Sequence, residues 1–343
     1  MWMNDFGQSL RSGLKELSQY NRLVLPFTRR VRRRIQYTRD QLYVAQLRHA
    51  SISKKQFIND MKDSIIHNTG YATGKIGLSP KYWMYYEIFL SKETNAETTR
   101  QFEETLRFHG LKQSGVFPAD PHFYLDFNKF YMQHVRNLDC LGLFYEPPLM
   151  ELELIKHYQL TNKFIYYVDQ EPDRSVPDNP KDCYLQYFQD KRLLVICPFA
   201  EFLKERATKE IFEAVWSKTG KKWFYPRSID ALELPYGFSA ETHKTYGTAI
   251  DLFNDIAREI DKRDFDVALI GAAGLAIPIA SYIKNMGKIG IDLGGHLQIC
   301  FGVLGNRWRR RKDFERDYFN DWWVYPPAQY RPDPMEVGEY DYW

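Results

Sequence analysis

The chain has 343 residues and 44% hydrophobic content, ample for a large core in one big domain or two ordinary ones. Forty-seven Lys and Arg stand against 44 Asp and Glu, and a net charge of +3 excludes a global attraction to nucleic acid. No stretch approaches the roughly 18 apolar residues of a membrane span, and the N-terminus carries no evident secretory signal.

Residues 1–60 read as a helical, arginine-rich extension. Leu10, Leu14 and Leu17 suit one helix, and Leu42, Ala45 and Leu47 suit another. Between them Arg29 to Arg34 contains five arginines in six residues, either a solvated charge run or a contact for anionic lipid headgroups at a membrane surface. Nucleic-acid binding ranks third, because no matching basic stripe follows.

Residues 61–343 read as the main α/β domain. Phe57, Met61 and Ile65 mark an amphipathic helix over 54–67 that leads into a strand, Tyr71 to Ile76. Gly74 and Gly77 would let a ligand approach the backbone, and Lys75 could serve a phosphate. Helices are expected over 80–91 and 95–110, and strands over 113–117, 138–144 and 163–168. Residues 170–182 turn to Pro, Asp and Asn and read as a surface loop. Leu193 to Cys197 is a buried strand that stops at Pro198, and Leu203, Ala207, Ile211 and Val215 share one face of the helix after it. Pro198 and Phe199 therefore sit at a strand's carboxyl end. A strand or edge over 221–230 and a helix over 244–262 complete the approach to the central unit.

That unit is Asp264 to Trp308. Val267 to Ile270 is a short apolar strand, Gly271-Ala272-Ala273-Gly274 a turn, Leu275 to Met286 a helix, and Lys288 to Ile291 a second strand. Strand, turn, helix and strand make a βαβ unit whose strands run parallel with a right-handed crossover. Its helix start could hold an anion on backbone N–H groups, with the loop at Pro198 and Phe199 lining the same crevice. Asp292 follows the second strand, about 20 residues past Gly271, where a ribose hydroxyl or a metal could sit. Gly294, Gly295, His296, Gln298, Gly302, Gly305 and Arg307 then crowd a place where a plain sheet would turn back. The whole pattern predicts an α/β fold: a Rossmann-like, mainly parallel sheet flanked by helices. Arg309 to Lys312 could meet a phosphate-bearing substrate, and the aromatic tail beyond is expected to pack across the domain. The four cysteines, Cys140, Cys183, Cys197 and Cys300, lie far apart in apolar flanks and are expected as reduced core residues of an intracellular protein.

The run from Phe265 to Trp308 resembles the C-terminal part of GT-D-type glycosyltransferase domains, and more closely a group of bacterial proteins associated with surface-polysaccharide synthesis. The resemblance rests on Gly271-Ala272-Ala273-Gly274, Pro278, Lys284, Gly287-Lys288, Gly294-Gly295, Gln298, Phe301-Gly302, Gly305, Arg307-Trp308 and the terminal Tyr342-Trp343. "VICPFAEFLKE" and "GYATGKIG" are similar to two further blocks, in the same order. The resemblance implies sugar transfer from a nucleotide-sugar, usually a UDP-sugar, to a glycan or glycolipid acceptor. The expected location is the cytoplasm, peripheral to the inner face of the membrane. Family members typically carry an Asp-x-Glu motif that binds a divalent metal such as Mn2+; here Asp292 has no second carboxylate in Gly294 to Gln298. Nor does an acidic residue follow "GKIG", where Ser79-Pro80 stands, with Glu87 further along. On this reading the donor diphosphate lies on Gly271 to Gly274, and Asp292 binds ribose or metal. His296 and Gln298 touch sugar or phosphates, and His296 or Asp292 is the general base. Two other readings remain: a Rossmann-type enzyme using NAD(P) or S-adenosylmethionine, and a non-catalytic protein that keeps the fold.

Overall fold

The computed structural model describes residues 24–172, 183–220 and 225–332, with side chains from residue 36 onward. The leucines at 10, 14 and 17, the Arg29 to Arg34 side chains, most of the loop over 170–182 and the terminal Tyr342-Trp343 lie outside the described residues.

Seven parallel strands form one sheet: β1 (Tyr71–Lys75), β2 (Cys140–Leu143), β3 (Lys163–Tyr166), β4 (Arg192–Cys197), β5 (Ser228–Glu233), β6 (Val267–Ile270) and β7 (Ile289–Asp292). Their order is β3-β2-β1-β7-β6-β4-β5, so β7 joins two three-stranded halves. Alternate residues of each strand face opposite layers, as the period of two demands. Leu194, Ile196, Ala268 and Ile270 pack with the helices Leu78–Lys92, Pro121–Asn137, Ala249–Asp261 and Ala276–Asn285. Leu193, Val195, Val267 and Leu269 pack on the other face with Lys54–His67, Ala200–Arg206, Lys209–Val215 and the aromatic segment around Phe314, Tyr318 and Trp323. The α/β architecture with helices on both faces of a parallel sheet is as the sequence predicts.

Crossovers that move towards β3, such as β1 to β2 and β6 to β7, use the first face; β4 to β5, which moves the other way, uses the second. Right-handed connections require that split. The chain therefore leaves adjacent strands towards opposite faces between β4 and β6 and between β7 and β1, near the middle of the sheet. Such divergence opens a crevice at the strands' carboxyl ends.

The helix Ala276–Asn285 sits on β1 and β7 unusually closely, because glycines lie beneath it. A Cβ at Gly74 would lie 2.7 Å from Ile277 Cγ1, and one at Gly290 would lie 2.7 Å from the Ala280 carbonyl oxygen. One at Gly70 would fall 2.4 Å from the Lys284 carbonyl oxygen. Contacts at 277, 280 and 284 trace one helix stripe, so the helix begins over the carboxyl end of β1 and finishes over its start. One flank is held by Ser281, whose hydroxyl meets His134 Nδ1 at 3.0 Å and Asn137 Nδ2 at 2.9 Å.

Several local expectations differ from the fold. Residues 113–117 are not a strand; a π-helical turn, Phe108–Gln113, runs into an irregular segment whose Val116 and Phe117 are buried by packing, not by pairing. The single helix expected after β4 breaks at Thr208, which caps the second piece through Ile211 N–H. The helix over 244–262 likewise splits, with a capping box at Thr248 and Asp251 starting Ala249–Asp261. Val24–Ala50 is one continuous helix, and Lys54–His67 runs through the expected boundary at residue 60 with Phe57 and Met61 fully buried. All four cysteines are free and buried.

Gly290→Ala should lower stability by about 1–3 kcal/mol, the penalty of forcing a methyl against backbone. Gly77→Ala, whose nearest neighbour would be Pro80 Cδ at 3.8 Å, should change it far less; denaturant midpoints at matched m-values check both. Burial pushes the His134 imidazole down to about 4 from its ordinary 6.5. The unfolded chain then takes up this proton first, so the contribution is complete above about 6.5 and is lost as pH falls towards 4. His134→Gln should flatten the stability profile across that window.

Candidate functional site

Four ionisable side chains converge at the carboxyl ends of the central strands. Lys75 ends β1 and Asp292 ends β7, two neighbouring strands paired in the register Thr73 with Ile291. The Lys75 backbone N–H donates to Asp292 Oδ2 at 3.2 Å, and the Gly294 N–H donates to Asp292 Oδ1 at 2.9 Å. The Lys75 ammonium donates to Glu171 Oε1 and to the Leu293 carbonyl, both at 3.0 Å. Glu171 Oε1 also lies 3.0 Å from His296 Nε2. The imidazole rests edge-on against Trp308, with ring centroids 4.4 Å apart.

The cluster is close to dry: the Lys75 side chain is 9% exposed and that of Glu171 2%. Asp292 is 8% exposed and His296 4%. Burying an ion costs several kcal/mol unless partners compensate, and each group here has them. Burial raises the Asp292 carboxyl above its ordinary range, while Lys75 and the two backbone donors pull it back. Glu171 Oε1 thus lies between the Lys75 ammonium and the His296 imidazole, 3.0 Å from each.

Glu171 was not among the residues singled out from sequence. It follows β3, two strands away from β1, at the end of Asp169-Gln170-Glu171. The signal that could have found it is an acidic and amide triplet directly after an apolar run, at a strand's carboxyl end. Gln170 supports it: its carboxamide donates to Thr73 Oγ1 and to the Gly74 carbonyl at 3.3 Å, and its backbone carbonyl accepts from the Tyr184 hydroxyl. Room for this arrangement comes from Gly142 on β2, where a Cβ would lie 2.2 Å from Gln170 Oε1 and 2.9 Å from Lys75 Cγ.

The other predicted residues are placed variously. Pro198 and Phe199 do adjoin Gly271, since Ile196 pairs with Ile270 and the Gly271 N–H donates to the Ile196 carbonyl at 2.8 Å. The Gly274 N–H donates to the Ser114 carbonyl at 2.9 Å, and a Cβ there would strike Val116 Cγ2 at 2.5 Å. Two of the turn's four N–H groups are thus engaged by the protein, with Ala272 half-buried and Ala273 exposed at φ +45°. Gly74 is approached by Ile277 in the place expected for a ligand, whereas Gly77 leaves space. Gly294, at φ +52°, turns the chain so that its N–H reaches Asp292, and Gly295 precedes the short helix His296–Cys300. Gln298 points into the second-face core towards the Val303 carbonyl at 3.4 Å. Arg307 is exposed, with its guanidinium 5.2 Å over the Trp308 ring.

A second buried pair lies nearby. Lys81 and Glu151 meet at 2.6 Å, and Glu151 also accepts the Phe144 and Tyr145 N–H groups at 2.9 and 2.8 Å. Burial pushes the Lys81 ammonium down, opposed by Glu151. This pair clamps the loop after β2 and is structural.

A divalent metal does not fit the main cluster. Both Asp292 oxygens already accept backbone N–H groups, and Glu171 Oε1 is shared by Lys75 and His296. An ammonium therefore stands where a metal would need its ligands. Two unit charges about 4 Å apart repel by about 4 kcal/mol at an effective dielectric near 20, and a divalent ion doubles that. Among the described residues no group of three or more His, Cys, Asp and Glu is arranged to hold a metal ion.

No protein-family model, curated protein or solved structure matches the chain. Among the described residues no helix is long and apolar enough to cross a membrane.

Asp292→Asn should destabilise the fold by about 1–3 kcal/mol, because a carboxamide can accept only one of the two N–H groups and turns a donor against the other. Urea unfolding checks this; an unchanged midpoint would mean that the loop after β7 is held by something else.

Proposed function

We propose that this protein is a glycosyltransferase that moves a sugar from a nucleotide-sugar, a UDP-sugar by preference, to a hydroxyl of a glycan or glycolipid. The observation that carries this reading is the Glu171–His296 pair at 3.0 Å, buried beside Asp292 at the carboxyl ends of the central strands. A carboxylate that orients an imidazole is an acid–base device, and sugar transfer needs one to take the acceptor's proton. The likeness of Phe265 to Trp308 to GT-D-type domains supports the choice of donor.

In the transfer, the bond between the anomeric carbon and the distal phosphate oxygen breaks, and its electron pair leaves with the nucleoside diphosphate. The acceptor oxygen forms the new bond to that carbon while its proton passes to the Glu171–His296 pair. Asp292, fixed by two backbone donors, is the group suited to a ribose hydroxyl. Gly77, Pro198, Phe199, Ala272 and Ala273 would form the crevice walls. A peripheral position at the inner face of the membrane would suit a glycolipid acceptor, with Arg29 to Arg34 falling within the helix Val24–Ala50.

Thermal stability against UDP, UDP-sugars, GDP, CMP, NAD(P)H and S-adenosylmethionine tests the reading. A UDP ligand at 100 times its dissociation constant should add about 2.7 kcal/mol. Stabilisation by NAD(P)H or S-adenosylmethionine in its place would overturn the transferase. Glu171→Gln should keep UDP stabilisation yet slow donor turnover by roughly a hundredfold or more, the usual worth of an acid–base group.

A further inference from the structure

We propose that the Lys75 ammonium is the cation that meets the donor's diphosphate, so that binding and transfer need no divalent metal. The inference rests on the nucleotide-sugar reading above and concerns how that site holds its ligand's charge.

The position of Lys75 carries it. The side chain stands at the carboxyl end of β1, flanked by Glu171 from beyond β3 and by the segment after β7. Among the described residues two of its three N–H donors are taken, by Glu171 Oε1 and the Leu293 carbonyl, both at 3.0 Å. An ammonium offers three donors, so one can serve a phosphate oxygen. The side chain retains 9% of its surface, which keeps it within reach from the crevice. Its stem is held by the gap that Gly142 leaves, where a Cβ would lie 2.9 Å from Lys75 Cγ. A fixed charge in a site largely shielded from water stabilises a departing diphosphate without reorganising.

The two carboxylates also follow from this. A metal-binding site would aim free carboxylate oxygens at one point. Here Glu171 balances the lysine charge and Asp292 is turned to the backbone, an arrangement made for a resident monovalent cation. In the transfer, the C–O electron pair that leaves the anomeric carbon develops its charge on the diphosphate's oxygen, and Lys75 donates a hydrogen bond to that oxygen. No proton need leave the lysine.

Calorimetric titration of the full chain with UDP and with uridine decides the matter, in excess EDTA and with added Mn2+, for the wild type, Lys75→Met and Lys75→Arg. The wild type should bind UDP equally in EDTA and Mn2+. Lys75→Met should weaken UDP by roughly ten- to hundredfold, the worth of one charge-assisted hydrogen bond, with little change for uridine. Lys75→Arg should recover part of the loss. UDP binding that requires Mn2+ overturns the inference and leaves the transferase reading standing. Equal loss of UDP and uridine in Lys75→Met also overturns it, by showing a purely structural lysine. If Lys75→Met does not fold, the EDTA and Mn2+ comparison on the wild type decides alone. Absence of binding by any uridine nucleotide overturns the reading beneath it.

Discussion

Close seating of one helix on two strands governs the rest of this structure. Ala276–Asn285 lies on β1 and β7 where Gly74, Gly290 and Gly70 remove the side chains that would hold it away. Packing in a protein interior leaves little slack, so a helix one methyl higher would shift everything attached to it. Attached to it are the turn at Gly271 to Gly274 before it and the strand β7 after it. Asp292 ends that strand, and its two hydrogen bonds fix the start of the loop that carries His296. The geometry of the charged cluster is thus set by backbone contacts made several residues away.

Charge balance is the second constraint. Lys75, Glu171 and Asp292 are nearly withdrawn from water, where an unpaired charge would not be tolerated. Their arrangement differs from the clamp on Lys81, where Glu151 takes one lysine and two N–H groups and ties down a loop. Around Glu171 the partners are two ionisable side chains, Lys75 from β1 and His296 from the segment after β7. The Lys81–Glu151 pair thus ties down a loop, whereas Glu171 gathers side chains from separate strand ends.

Much of this could be read in the sequence, for identifiable reasons. Parallel strands buried on both faces are continuous apolar runs, and "DVALIG" and "LLVIC" announce themselves. Residues that end such strands, Lys75 and Asp292, are then visible as candidates. Glu171 was legible only as a residue at a strand's end; its meeting with Lys75 depends on β3 pairing with β2 and β2 with β1, a long-range fact that no local pattern contains. Residues 113–117 misled because Val116 and Phe117 are buried without any strand partner, Val116 against Gly274. The helix Pro121–Asn137 has no counterpart among the sequence-derived elements. Phe123, Tyr124, Phe127, Phe130 and Tyr131 are middling helix formers, and burial of their aromatic face makes the helix.

The place of β7 in the sheet bears on how the chain reaches this state. Among the described residues it is the last strand in sequence and a middle strand in space, and it links β3-β2-β1 to β6-β4-β5. During synthesis, which proceeds from the N-terminus, both half-sheets can pair before Ile289 emerges, each with an open inner edge. Such edges are templates for unwanted pairing, and β7 closes both at once. The bond from Lys75 to Asp292 spans 217 residues of chain and cannot form earlier. Pairing of this one four-residue strand on both sides therefore completes the sheet, covers both inner edges and brings Asp292 to Lys75.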